Sequence, residues 1–373
     1  MKLTILQENL LFGLGIASRI TATKVQLPIL NNVLLTTESG RLKVSATNLE
    51  IGVNLWLGAK IEKPGKITIP AKIFLELVNL LPKSQIELEV KGEKLMVSCA
   101  GQHSVILGIN AAEFPQVLSL KGNKKPIFKT DLVKEDLNRI IEQVVFAASL
   151  DEGRPTLTGV LLNQSGKNWS AVATDGYRLS LATVKNKTEV KPGKWLVPAR
   201  ALLEVGRLMG GKQEEGVVMA VSSEGGQIIW GTGEVELVSK LIEGQFPDFN
   251  KVIPQEEKTK LELDKQALTS AVKTAAIFAR DGANIVRFKV LKTTLEVSAN
   301  APELGESLTR LEAEVTGEQG EIAFNSRYLL DFLSAAKQER VEFSFSGPLE
   351  PGLFREKGGS NWLHVIMPVR VQE

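Results

Sequence analysis

Three short stretches of the chain repeat one another. Ile69-Pro70-Ala71-Lys72-Ile73-Phe74-Leu75-Glu76-Leu77-Val78, Val197-Pro198-Ala199-Arg200-Ala201-Leu202-Leu203-Glu204-Val205 and Phe324-Asn325-Ser326-Arg327-Tyr328-Leu329-Leu330-Asp331-Phe332-Leu333 start 128 and then 127 residues apart. A second marker keeps the period. Ser45-Ala46-Thr47-Asn48 precedes Glu50, Val172-Ala173-Thr174-Asp175 precedes Arg178, and Val297-Ser298-Ala299-Asn300 precedes Glu303. A third marker is an apolar helical stretch opening each copy, at Glu8 to Ile20, Lys134 to Ser149 and Lys265 to Arg280. Three markers in one order at one spacing mean three homologous domains, each of roughly 125 residues, an ordinary domain size. Their expected limits are 1–122, 127–250 and 251–373. Gly/Pro/polar linkers run from Leu120 to Pro126 and from Phe246 to Pro254.

The pattern inside each copy is also shared. In the second, Leu137, Ile140, Ile141, Val144, Val145 and Ala148 fall at helical spacing and make one apolar face. In the first, Asn32 to Thr37 and Arg41 to Ala46 flank a Ser39-Gly40 turn, and the alternation of Leu42, Val44 and Ala46 predicts a half-buried strand. A second helix begins at Pro70, Pro198 or Asn325, where Pro supplies a fixed φ and Asn an N-cap. A closing hairpin spans Lys94 to Ile109, Gln227 to Ile242 and Leu353 to Pro368. Strands outnumber helices and return by hairpins, so the class is α+β with largely antiparallel sheets and two helices per domain.

Composition excludes several classes. Of the 373 residues 43% are hydrophobic and 24% charged, with a net charge of +2, which does not fit a disordered chain. No apolar run approaches the roughly 20 residues that span a bilayer, so no membrane association is expected. Glu8 interrupts the N-terminal segment before a secretory signal can develop. Cys99 is alone, which rules out an internal disulfide and fits a reducing cytoplasm. The sequons at Asn168 and Asn186 are then chance matches.

Catalytic patterns are absent from the sequence. The two histidines, His103 and His364, both fall in hairpin strands, and with one cysteine they make no zinc site. No nucleophile elbow is present. Gly206-Arg207-Leu208-Met209-Gly210-Gly211-Lys212-Gln213 nearly spells a phosphate loop, but Gln213 replaces the Ser or Thr that would hold Mg²⁺, and the segment follows a helix. A glycine helix stop is the expectation. No catalytic residue, metal or cofactor is expected.

Charge is segregated. Residues 1–127 carry a net +6, and 128–250 and 251–373 carry −2 each. Lys72, Arg200 and Arg327 fall at one repeated position at the start of the second helix, with Arg207 and Lys337 further along. With only 6% aromatic residues there is no stacking platform for single strands. Sequence-independent contact with phosphates remains. An enzyme with a carboxylate site, or a peptide-binding scaffold that ignores DNA, stays open on the residues alone.

The whole chain resembles the bacterial DNA polymerase III beta subunit family, the replication sliding clamps. The motifs that carry the resemblance are Leu27-Pro28-Ile29-Leu30-Asn31-Asn32, Ala173-Thr174-Asp175-Gly176-Tyr177-Arg178-Leu179, Glu243-Gly244-Gln245-Phe246-Pro247-Asp248-Phe249 and Val365-Ile366-Met367-Pro368-Val369-Arg370. The resemblance implies a DNA clamp fold and a non-enzymatic processivity factor. It implies a head-to-tail homodimer closed into a ring around double-stranded DNA. Lys24 and Arg154 would then reach the duplex from loops, and Lys72, Arg200, Arg207 and Arg327 from the helices. It implies a dimer contact of Lys72, Leu77, Val105 and Leu107 against Ile277, Phe278, Glu303 and Glu306. It also implies a hydrophobic cleft between the second and third domains for the DNA polymerase III alpha subunit, the clamp loader and other proteins carrying the clamp-binding motif. The matching cleft positions are Leu157, Thr174, Gly176, Tyr177, Arg178, Leu179, Pro247, Val252, Leu349, Val365, Met367, Pro368, Val369 and Arg370.

Overall fold

The computed structural model describes residues 1–21, 27–121, 125–209, 216–280, 283–359 and 361–370. It contains six α-helices among these residues: α1 (Gln7–Ile20), α2 (Ala71–Leu80), α3 (Lys134–Val144), α4 (Ala199–Met209), α5 (Lys265–Ala279) and α6 (Ser326–Ala335). The packing divides the chain into two compact units. One holds Met1–Lys134 and Leu203–Leu241, the other Glu135–Leu202 and Ile242–Glu373.

The first unit contains two antiparallel sheets. Five strands run in the order Lys60–Lys63, Lys2–Leu6, Gln85–Lys91, Lys94–Cys99, Gln102–Leu107. Eight more run Phe128–Leu132, Val217–Val221, Gln227–Thr232, Val235–Lys240, Ile51–Gly58, Arg41–Thr47, Asn32–Glu38, Lys66–Pro70. In that larger sheet, Val235–Lys240 of the middle repeat pairs directly with Ile51–Gly58 of the first, Val235 opposite Leu55 and Ser239 opposite Ile51. The second unit repeats the device. Its seven-stranded sheet joins Arg178–Pro198 of the middle repeat to Trp362–Ile366 of the third, Arg178 opposite Ile366. Its four-stranded sheet runs Gly305–Glu312, Thr294–Ala301, Ile285–Val290, Gly320–Asn325. Consecutive repeats are therefore welded by backbone hydrogen bonds, which cover four strand edges that would otherwise be open.

The apolar alternation of Leu42, Val44 and Ala46 is fully buried. The predicted half-buried pattern holds where Arg41 is exposed and Lys43 half-buried, and fails further along, where Ser45 and Thr47 are buried too. Helix α1 covers one face, with Gly13 against Leu57 so closely that a Cβ would stand 2.7 Å from it. The segment 116–121 covers the other: Asn54 Nδ2 donates to the Leu118 carbonyl at 2.8 Å, and Ser45 Oγ donates to Asn54 Oδ1 at 2.7 Å. A small polar pair suits a face roofed by backbone, because each buried group finds a partner.

The predicted helix from Lys134 to Ser149 ends sooner. α3 stops at Val144, a 3₁₀ turn takes Val145–Ala147, and Ala148 is extended. The carbonyls that a longer helix would use are taken by tertiary donors, Gln143 O by Ser180 Oγ at 2.5 Å and Phe146 O by Arg178 at 2.6 Å. The second helices start where expected. Asn325 caps α6 by accepting from Arg327 N, while Pro70 occupies the cap position of α2 and makes no side-chain bond. Gly206 lies inside α4, and residues 210–213 of the phosphate-loop look-alike lie outside the described residues. Cys99 is buried at the end of a hairpin strand. The core of the second unit is aromatic: Phe288, Phe324, Phe343 and Phe354 meet at centroid distances of 4.7 to 5.8 Å. No helix among the described residues is long and apolar enough to cross a membrane.

Candidate partner cleft and nucleic-acid interface

The loop Asp175-Gly176-Tyr177 joins the strands Gly159–Thr174 and Arg178–Pro198 in the second unit. Gly176 has φ +94°, a conformation side chains rarely adopt. Asp175 Oδ1 accepts from the Tyr177 and Arg178 amides at 2.9 and 3.0 Å. Thr174 Oγ1 donates to the Arg178 carbonyl at 2.6 Å and accepts from Gly176 N at 3.1 Å. The loop is thus locked by its own side chains.

Arg178 fixes its surroundings. Its guanidinium donates to Asp175 Oδ2 at 3.0 Å, Asp331 Oδ2 at 2.5 Å and the Phe146 carbonyl at 2.6 Å, and lies 4.5 Å from the Tyr328 ring centroid. Burial, with the Asp175 charge second, pushes the Tyr328 hydroxyl above its usual value. A planar fork holds three acceptors in fixed directions spread along its width, a geometry that a compact ammonium does not reproduce.

The C-terminal segment is brought to this loop. Val365 pairs with Leu179, Met367 N donates to the Tyr177 carbonyl at 2.8 Å, and Val369 N donates to the Ala323 carbonyl at 2.8 Å. Val172, Leu179, Leu353 and Val365 form a buried apolar floor, with Phe246, Phe249, Ile253, Leu161, Leu181 and Leu363 half-buried on it. Leu157 and Thr174 are buried; Met367, Pro368 and Val369 are half-buried; Tyr177, Pro247, Val252, Leu349 and Arg370 are exposed. Leu349 lies outside that floor and lines a hollow of about 610 Å³ with Pro254, Ser346, Pro348 and Pro351. Phe246 and Phe249, an edge-to-face pair 6.4 Å apart, belong to the floor and were missed as site residues. Two aromatics three residues apart beside Pro247 were the signal.

Beneath the floor His364 is fully buried between Phe146 and Phe332, at centroid distances of 5.3 and 5.7 Å. Neither ring nitrogen has a hydrogen-bond partner among the described residues. Burial, reinforced by the Arg178 charge, lowers its pKa to about 3 from 6.5. The unfolded chain therefore binds the proton first. Stability is complete above pH 6.5 and falls as the pH drops toward 3. Between pH 6.5 and 5 the loss is about 2 kcal/mol, at 1.36 kcal/mol per pH unit. Urea midpoints at pH 7 and pH 5 should converge in His364→Phe; an equal drop in both proteins would refute the assignment. His103 hydrogen-bonds Ser98, also within its hairpin. No cluster of three or more metal-ligating side chains occurs among the described residues.

The predicted DNA residues separate into two kinds. Lys72, Arg200 and Arg327 are each the second residue of their helix, α2, α4 and α6, and each is exposed without an ion pair among the described residues. A cation at a helix N-terminus opposes the macrodipole by about 0.3–1 kcal/mol, so the recurrence does not serve stability. Arg154 instead pairs with Asp151 at 2.9 Å and donates to the Asp175 carbonyl at 3.1 Å, holding the Asp151 carboxyl below its usual value. Arg207 pairs with the buried Glu204, which also accepts from Arg19 at 3.4 Å. Lys24 lies outside the described residues.

The predicted dimer residues lie on two free edges. Gln102–Leu107 ends the five-stranded sheet and exposes Val105 (57%) and Leu107 (67%) on either side of the buried Ile106. Lys72 is exposed and Leu77 half-buried on α2. Gly305–Glu312 ends the four-stranded sheet, with Glu306 exposed on it, Glu303 just before it, and Ile277 and Phe278 on α5. Ile73, Leu80, Leu304 and Leu308 are further exposed apolar side chains on these elements and their borders.

Profiles of the DNA polymerase III beta subunit match the chain three times, its N-terminal domain at residues 1–118, its central domain at 131–248 and its C-terminal domain at 250–370. The beta sliding clamp of Pseudomonas putida is 31% identical, and that of Synechocystis sp. 29% identical, each over the full length of both chains. The crystal structure of a Pseudomonas aeruginosa sliding clamp bound to griselimycin superposes with a TM-score of 0.93 at 29% identity over all of both chains. Fold, triple repeat and these matches agree, and the chain belongs to the DNA polymerase III beta subunit family, the bacterial sliding clamps.

Proposed function

We propose that two copies of this chain close head to tail into a ring around duplex DNA, with domains at 1–122, 127–250 and 251–373. As a sliding clamp the chain is a non-catalytic processivity subunit. The observation that carries the DNA reading is the unpaired cation at the second position of the second helix in all three repeats, Lys72, Arg200 and Arg327. Such contacts are weak, salt-screened and indifferent to sequence, as sliding requires. A closed ring needs no more, because it is held by topology. Arg154 and Arg207 would contribute only by leaving their carboxylate partners, and Lys24 would join from its loop.

The Tyr177 loop, the Phe246/Phe249 pair and the segment Val365 to Arg370 form the surface for partner peptides. These would come from the polymerase III alpha subunit, the clamp loader and other proteins with the same short motif. Adaptable Met367 and a rigid floor suit several related ligands. A heterologous contact between the two free edges would close the ring, and the setting is the cytoplasm, where replication takes place. The deciding experiment loads the protein on nicked circular DNA and then linearises it. Retention on the circle and release from the line are expected; equal loss from both would refute the ring.

A further inference from the structure

A second repeated motif lies away from the helices. Lys63-Pro64-Gly65-Lys66 recurs as Lys191-Pro192-Gly193-Lys194, 128 residues on, and the position 127 residues further reads Glu318-Gln319-Gly320-Glu321. All six charged side chains are exposed. In each repeat the motif enters the strand that leads into the second helix: Lys66 pairs with Thr36, Lys194 with Asn163 and Glu321 with Lys289.

Each glycine is closely approached by a neighbour. A Cβ on Gly65 would lie 2.8 Å from Met1 Cβ, one on Gly193 would lie 2.3 Å from the Trp195 ring, and one on Gly320 would lie 3.1 Å from the Phe345 ring. The motif connects two strands in the first and third repeats and interrupts the register of the long strand Arg178–Pro198 in the second, while the charge changes sign in the third. Many lysines of this chain are ion-paired, among them Lys2, Lys43, Lys260 and Lys357, yet Lys63, Lys66, Lys191 and Lys194 have no carboxylate partner among the described residues.

We infer that the Lys-Pro-Gly-Lys loops of the first two repeats are additional contacts for the phosphate backbone of duplex DNA, and that the Glu-Gln-Gly-Glu loop of the third repels it. This rests on the clamp reading above. Lysine, not arginine, fills all four positions. A compact point charge on a flexible stem can follow a polyanion that moves past without fixing one bonding geometry. Residues three apart in an extended segment are about 10 Å apart, within reach of neighbouring phosphates. The sign reversal makes the attraction unequal among the repeats, so the duplex is favoured at two and disfavoured at the third.

The test measures equilibrium binding to a short linear duplex across salt concentrations, alongside retention on a nicked circle. The quadruple variant K63E/K66E/K191E/K194E should lower the slope of log K against log salt by about 2–4, and E318K/E321K should raise it by about 1–2, at 0.9 per phosphate contact. An unchanged slope with normal retention on the circle overturns the loop contacts alone. Loss of loader or polymerase binding with an unchanged slope also overturns them, in favour of an acidic protein. Wild type that fails to stay on the circle refutes the ring instead.

Discussion

Replacing Arg178 with alanine should cost about 3–5 kcal/mol of stability, the range for breaking a buried ion pair and stranding its partner. The side chain is 10% exposed and Asp175 13%, so neither charge can recover its hydration in place. Removing the guanidinium also leaves the Phe146 carbonyl without its donor, and an unsatisfied buried acceptor adds to the loss. Arg178→Lys should recover little, since a compact ammonium lacks the spread of donors with which the guanidinium meets Asp175, Asp331 and the Phe146 carbonyl. Asp331→Asn should cost about 1 kcal/mol or less, because Asp331 is 45% exposed and that part of the network is screened. Urea unfolding followed by tryptophan fluorescence separates these cases, since Trp169, Trp195 and Trp362 all lie in the same unit as Arg178. The loop carrying Tyr177 depends on the same network, so partner-peptide affinity should fall with stability. A loss under 1 kcal/mol in Arg178→Ala would overturn the account.

Val105→Glu with Leu107→Glu should convert the proposed dimer to monomer, weakening association by at least about 100-fold. Both side chains are exposed on a free strand edge, so the isolated fold loses nothing by their replacement. In the ring the new carboxylates would be buried against the apolar side chains of the other edge, Leu308 and Ile277, and beside Glu303 and Glu306. Burying an unpaired charge is costly, and like charges add repulsion. Sedimentation should give the mass of one chain, with the circular dichroism spectrum and urea midpoint unchanged. Retention on the nicked circle should vanish with the dimer. A variant that still sediments as a dimer would place the interface elsewhere.

Both experiments act on features that differ in how far the sequence exposes them. The recurrence of Lys72, Arg200 and Arg327 is plain in the sequence because three copies of one unit align at a fixed offset. The tight turn at Gly176, the hairpins and the starts of α2 and α6 are also local matters. They follow from φ preference, side-chain periodicity and capping within a few residues. The early stop of α3 is not local. Its last carbonyls belong to Ser180 and Arg178, more than 30 residues away.

The same distinction separates the cations. Sequence offers Arg154, Arg207 and Arg327 as DNA contacts without telling which are neutralised; the fold pairs the first two with Asp151 and Glu204 and gives the third no ion pair among the described residues. Within Val105-Ile106-Leu107 the sequence shows three apolar residues in a row. The sheet buries the middle one and presents the other two at an open edge. The sequence by itself determined the three repeats, their local elements and the recurrent positive position, because these depend on neighbours along the chain. Tertiary structure alone decided which charges are neutralised, which edges remain open and which distant segments make the cleft floor, because these depend on partners brought together only by long-range strand pairing.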